Sequence, residues 1–133
     1  MRKIVVIAHD SQKDILVQFI QSNEQWIEDV QFLATGRTAE YLESKNIQVT
    51  HLSPGKAGGY NEITNMVLEG SIALVLFFMD HLAVSTHHLD IKNLLNACNE
   101  KNIPMATNYA SAELILVGYI KKLAAERTRN KML

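Results

Sequence analysis

The sequence predicts an α/β domain, a three-layer sandwich with a mainly parallel five-stranded sheet and helices on both faces. Three observations predict it. Short β-prone runs at residues 3–8 and 72–80 are apolar except for a Lys at the start of the first and an Asp at the end of the second, which suits strands buried on both faces rather than strands with one wet side. Segments with helical spacing of apolar residues separate the strands, and that alternation calls for right-handed crossovers onto a parallel sheet. Finally, 133 residues at 47% apolar content supply one core, with no room for a second catalytic domain. Residues 1–133 are therefore expected to form a single domain.

The elements follow in order. "KIVVIA" at 3–8 is the first strand, and from Asp14 onward Ile15, Leu16, Phe19 and Ile20 recur at helical spacing. A second strand covers 30–34, and "TGRTAEYLESK" turns it into a short helix. The third, near 47–52, ends in "SPGKAGGY", where Pro54, Gly55, Gly58 and Gly59 demand a loop. Residues 61–69 form a helix with Ile63, Met66 and Val67 inward and Gly70 as its stop. "IALVLFFMD" at 72–80 is the strongest buried-strand signal. After a histidine-bearing loop, Ile91, Leu94, Leu95 and Cys98 mark a helix over 91–101. The fifth strand, 103–107, carries Pro104 near its start, where a missing N–H is tolerated. A last helix spans 111–126, and "RTRNKML" at 127–133 is expected to fray, with Arg127 and Arg129 facing solvent.

The charge balance, 13 basic against 14 acidic side chains for a net −1, gives no general reason to bind nucleic acid or an acidic membrane. It still permits a local phosphate site. Cys98 is the lone cysteine, so no internal disulfide and no cysteine-based metal cluster can form, and it reads as a small thiol packed on a helix. The first strand begins at once, leaving no room for a signal peptide, and no apolar run reaches the roughly 18 residues of a membrane span. The expected location is cytoplasmic.

In an open parallel sheet, ligands bind beyond the carboxyl ends of the strands, where the strand order reverses. Polar clusters occupy five such ends: His9-Asp10, Thr35-Gly36-Arg37-Thr38, 53–60, 80–90 and Thr107-Asn108. In "ATGRT", Gly36 permits close backbone approach, while Thr35 and Thr38 bring hydroxyls to a helix N-terminus whose free N–H groups favour an anion. Lys13 and Lys56 can add ammonium groups from neighbouring loops. The phosphate-loop and dinucleotide glycine patterns are absent. His9, Asp10, Asp80, His81, His87, His88 and Asp90 are the acid-base candidates, since a histidine whose tautomer is fixed can move protons or polarise a carbonyl. "HHLD" alone lacks the further patterned ligands of a metal site, and no metal is expected.

Read in order, these residues resemble the methylglyoxal synthase family. Its members carry "AHD" at a strand end with a lysine following, then "ATGTTG", a serine-glycine-proline loop leading to "GGDQQ", "DP" after the fourth strand, a His-x-x-Asp pair and "PxATN". The matches here are Ala8-His9-Asp10 with Lys13, Thr35-Gly36-Arg37-Thr38, Ser53 with Gly58-Gly59, Asp80, His87 with Asp90, and Pro104 with Ala106-Thr107-Asn108, unbroken over 3–117. The resemblance implies a cofactor-free lyase converting dihydroxyacetone phosphate to methylglyoxal and phosphate. A carboxylate removes a proton, and the resulting enediolate expels phosphate. His87 takes the place of the histidine that assists at the substrate oxygens, with Asp90 as its companion. His9, Lys13, Thr35, Gly36, Arg37, Thr38, Ser53, Gly55, Gly58 and Gly59 fall at positions resembling the substrate- and phosphate-holding set. A homo-oligomer, often a hexamer, is implied as well.

Departures from the pattern sharpen the expectation. Tyr60 follows the paired glycines where the family has its carboxylate base, and a phenol with a pKa of about 10 is mostly neutral at pH 7. Asp10 or Glu62 must then substitute. Arg37 and Ala39 replace a threonine and a glycine, Pro54-Gly55 inverts the family's Gly-Pro, and His81 replaces the proline after Asp80. Three readings follow: a methylglyoxal synthase with a relocated base, a non-catalytic module of the same fold that binds a phosphorylated metabolite, or a different lyase or isomerase acting on another small sugar phosphate.

Overall fold

The computed structural model describes residues 2–53, 58–83 and 88–132. Five strands, β1 (Arg2–Ala8), β2 (Val30–Thr35), β3 (Thr50–Leu52), β4 (Leu74–Phe78) and β5 (Met105–Ala106), form one sheet in the order β3-β2-β1-β4-β5. Every pairing is parallel. The chain builds outward from β1 to β2 and β3, then crosses back to place β4 on β1's other side. The order reverses there, between β1 and β4, the place beyond whose strand ends open parallel sheets bind ligands.

Period-two alternation along buried strands divides the core into two layers. Ile4, Val6 and Ala8 of β1, with Leu74, Leu76 and Phe78 of β4, face α1 (Lys13–Ser22), α2 (Gly36–Ser44) and α5 (Tyr109–Met132). Val5, Ile7, Val75 and Phe77 face α3 (Gly59–Leu68) and α4 (His88–Lys101). The sequence-predicted fold class, with helices on both faces of a parallel sheet, is the observed one.

Element ends differ from the sequence expectation for identifiable reasons. β3 starts at Thr50 rather than near 47, and β5 at Met105 rather than 103, because the preceding residues close helices instead. Asn46 and Asn102 adopt left-handed φ of 62° and 57°. The next residue then folds back, Ile47 N donating to Leu42 O at 3.0 Å and Ile103 N to Cys98 O at 2.8 Å. Gly70, at φ 81°, ends α3 the same way, with Ser71 N on Met66 O. α4 begins at His88, three residues before the predicted start, which brings Asp90 into its first turn. α5 starts at Tyr109 and is helical past Glu126, to Met132. Residues 120–132 contain neither glycine nor proline and are rich in Lys, Arg and Ala, all strong helix formers. Among the described residues, no helix is long and apolar enough to cross a membrane.

Candidate active site

The carboxyl ends of β1, β2, β3 and β4 carry the candidate residues. At the β1 exit, the residues after Ala8 enter a 3₁₀ turn, 10–12, which leads straight into α1. Lys13, the first residue of α1, turns back over the strand end. Its Nζ donates to the Ala8 carbonyl at 3.0 Å and to Asp10 Oδ1 at 2.8 Å. Only 13% of the Lys13 side chain is exposed, so its ammonium is held inside the rim. The other Asp10 oxygen accepts from Arg37 Nη2 at 3.2 Å, tying the β1 exit to α2. The hydrogen bond and charge of Lys13 hold the Asp10 carboxyl below the usual carboxylate range, with a smaller push from Arg37.

At the β2 exit the chain passes directly into α2. Thr35 is the N-cap in extended conformation and makes no side-chain capping bond. Thr35 and Thr38 are both buried, at 8% and 3% exposure, beside the first-turn N–H groups of α2. The register places Leu52 of β3 next to Thr35, so Ser53 leaves the sheet beside this helix start. Ser53 N donates to Glu62 Oε2 at 3.1 Å. Gly58, in the left-handed region at φ 92°, lets the chain turn into α3, and Gly59 is buried as its first residue. Glu62 thus lies in the first turns of α3 with its carboxylate directed at the β3 exit.

At the β4 exit, Asp80 N donates to His9 Nδ1 at 2.8 Å. A ring nitrogen that accepts carries no proton, so the neutral His9 ring bears its proton on Nε2. That Nε2 is buried and has no hydrogen-bond partner among the described residues. Asp80 itself is occupied in holding the loop: it accepts from Ser11 Oγ at 2.8 Å and Leu82 N at 2.9 Å. Those bonds, the Leu82 N–H first, hold its carboxyl below the usual range. Phe77 forms a shelf between two site residues. The His9 ring meets it edge-on at 5.2 Å, and the Tyr60 ring stacks on it at 6.2 Å. Burial, and secondarily the nearby Asp90 carboxylate, push the Tyr60 phenol above its ordinary value and keep it protonated near neutrality.

His9, Asp10, Lys13, Thr35, Gly36, Arg37, Thr38, Ser53, Gly58, Gly59, Tyr60, Glu62 and Asp90 thus fall on strand ends or helix starts along the one rim that the register builds. His87 and Gly55 lie outside the described residues. Asn108 of the fifth polar cluster caps α5, accepting Ser111 N at 2.9 Å, while the Thr107 carbonyl accepts from Met79 N. Sequence reasoning missed Ser11 and Phe77. Ser11 carries no signal of its own, and Phe77 is one aromatic in an unbroken apolar run whose facing depends on the sheet.

Comparison with known proteins fits this geometry. Residues 16–107 match the family described as the MGS-like domain. Over 117 residues the chain is 39% identical to a methylglyoxal synthase of Carboxydothermus hydrogenoformans, covering 87% of this chain and 97% of that one. The chain belongs to the methylglyoxal synthase family. A Clostridium botulinum methylglyoxal synthase is 36% identical over 115 residues, 86% of this chain and 97% of its own. The crystal structure of the methylglyoxal synthase from Elizabethkingia anophelis superposes with a TM-score of 0.78 at 31% identity, covering 86% of this chain and 76% of that chain. Tyr60 stands on the Phe77 shelf, at the position where the family pattern has a carboxylate.

Proposed function

We propose that this chain catalyses the cofactor-independent elimination of phosphate from dihydroxyacetone phosphate to give methylglyoxal, in the cytoplasm and as a homo-oligomer, hexamers being common in the family. The observation that carries the reading is the cradle where β1 and β2 end. A largely buried ammonium on Lys13 closes the end of β1 and is tied through Asp10 to Arg37 in the first turn of α2, while two buried threonines stand at that helix's N-terminus beyond the neighbouring β2; together they are a donor set suited to a phosphate dianion.

In this reading the substrate phosphate lies against the first turn of α2, with Thr35, Thr38 and Ser53 donating and Lys13 supplying charge. Glu62 takes a proton from the hydroxymethyl carbon. The released electron pair forms the enediolate double bond, and the carbonyl oxygen takes the negative charge. The Nε2–H of His9 and the side chain of His87, oriented by Asp90, donate to the enediolate oxygens. Collapse of the enediolate then breaks the carbon–oxygen bond to phosphate. The hydroxyl proton leaves with the phosphate as the aldehyde forms, and the remaining enolate takes the proton back from Glu62 at its methylene carbon to give methylglyoxal. Glu62 is preferred over Asp10 as base because both Asp10 oxygens are engaged by cations that lower its basicity, whereas Glu62 Oε2 accepts one backbone N–H.

A steady-state assay that follows both methylglyoxal and phosphate tests this. Wild type is expected to turn over, and Glu62→Gln and His87→Ala to lose about 100-fold or more in kcat. Wild-type rates in Glu62→Gln would remove Glu62 as base. The neutral Tyr60 phenol favours one second reading, a metabolite-binding module. No wild-type turnover, combined with calorimetric binding of phosphate, would establish that reading instead.

A further inference from the structure

The two cations at the cradle sit at different depths. Lys13 is 13% exposed, Arg37 is 73% exposed, and the Asp10 carboxylate bridges them with one oxygen on each. Arg37 is the second residue of α2, so its backbone belongs to the same first turn that offers N–H groups to a phosphate, while its side chain stands at the mouth. The exposed guanidinium thus stands apart from the buried donors inside. We propose that Arg37 is a specificity-determining residue. With Asp10 as its removable internal partner, it gives the cradle an outer anion position that favours small molecules carrying two linked anionic groups.

The inference rests on the phosphate reading above and extends it outward. A ligand with a single phosphate is served by Lys13, the threonines and the helix N-terminus, and leaves the Asp10–Arg37 pair closed. A second anionic group on the same ligand reaches the mouth and replaces Asp10 on the guanidinium. The exchange is cheap because an exposed ion pair contributes little net stability. It is selective because a planar guanidinium engages phosphate or carboxylate through two parallel N–H bonds. Asp10 meanwhile repels single anions that approach Arg37 without occupying the inner cradle. The arrangement therefore reads the number of anionic groups and their spacing, rather than charge alone.

Isothermal titration calorimetry of the full chain with inorganic phosphate and with pyrophosphate, at fixed ionic strength, provides the test. Wild type is expected to prefer pyrophosphate by roughly fivefold or more. Arg37→Thr should bring that ratio close to one, with Arg37→Lys intermediate because it keeps the charge without the planar fork. Asp10→Asn should tighten pyrophosphate binding by freeing the guanidinium. A pyrophosphate-to-phosphate ratio that is the same in wild type and Arg37→Thr, or near one in wild type, overturns the proposal. If wild type binds neither anion, the phosphate cradle falls and this inference falls with it. If phosphate binds and the ratio ignores Arg37, only this inference falls. Arg37 is a solvent-facing helical position, and circular dichroism confirms that each variant is folded.

Discussion

Tyr60 concentrates the chemistry at the scale of one residue. Its ring lies on Phe77, and burial together with the Asp90 carboxylate favours the neutral phenol, so it cannot serve as a base at neutral pH. A carboxylate at the same place would feel the same two influences, and both would raise its basicity. Tyr60→Asp is therefore expected to increase kcat/KM for dihydroxyacetone phosphate by about 100-fold, within the range that a positioned proton-transfer group contributes. Steady-state kinetics on the folded variant checks it. An unchanged rate would mean that the surroundings of position 60, and not the residue type, limit turnover. The substitution at Tyr60 was legible in the sequence because it interrupts a motif. The shelf beneath it was not, because nothing local tells which face of β4 Phe77 occupies.

Among the elements, three helices end by one device. Asn46, Gly70 and Asn102 take left-handed backbone, and the residue after each donates back to a carbonyl five positions earlier. For an L-residue this conformation costs about 1–2 kcal/mol unless the side chain is Asn or absent. Asn102→Ala should therefore destabilise the fold by about 1 kcal/mol, while Asn102→Gly should lie within about 0.5 kcal/mol of wild type. Urea unfolding midpoints at constant m-value measure both. Equal losses in the two variants would show that the Asn side chain, and not the backbone conformation, is what matters. Gly70 was readable as a stop from sequence. The two asparagines were not, and each takes from the following strand the residues that a β-prone pattern alone assigns to it.

Across the whole molecule, the central sheet joins two cores through adjacent residues of opposite facing. Phe77 is fully buried in the layer beneath α3 and α4, and Phe78, 1% exposed, lies in the layer beneath α1, α2 and α5. Truncating either to alanine should lower stability by about 3–5 kcal/mol in a single cooperative transition, because β4 is shared by both layers. Only Phe77→Ala should also disturb the site, since its ring supports His9 and Tyr60. Denaturant unfolding paired with phosphate calorimetry separates the two effects. Equal loss of phosphate binding at a matched folded fraction would remove the shelf role from Phe77.

By itself, the sequence determined the number and alternation of elements, the parallel sheet buried on both faces, and the polar residues that end each strand. These are local properties, written in apolar periodicity, helix-start chemistry and glycine placement. The tertiary structure decided which of those ends adjoin and which partners their side chains take. Asp10 closes on Arg37 across 27 positions, and Asp80 N fixes the tautomer of His9 across 71. Pairings at such separations depend on strand order, and strand order is set by how both faces of the sheet are covered at once, a global condition that no short stretch of sequence records.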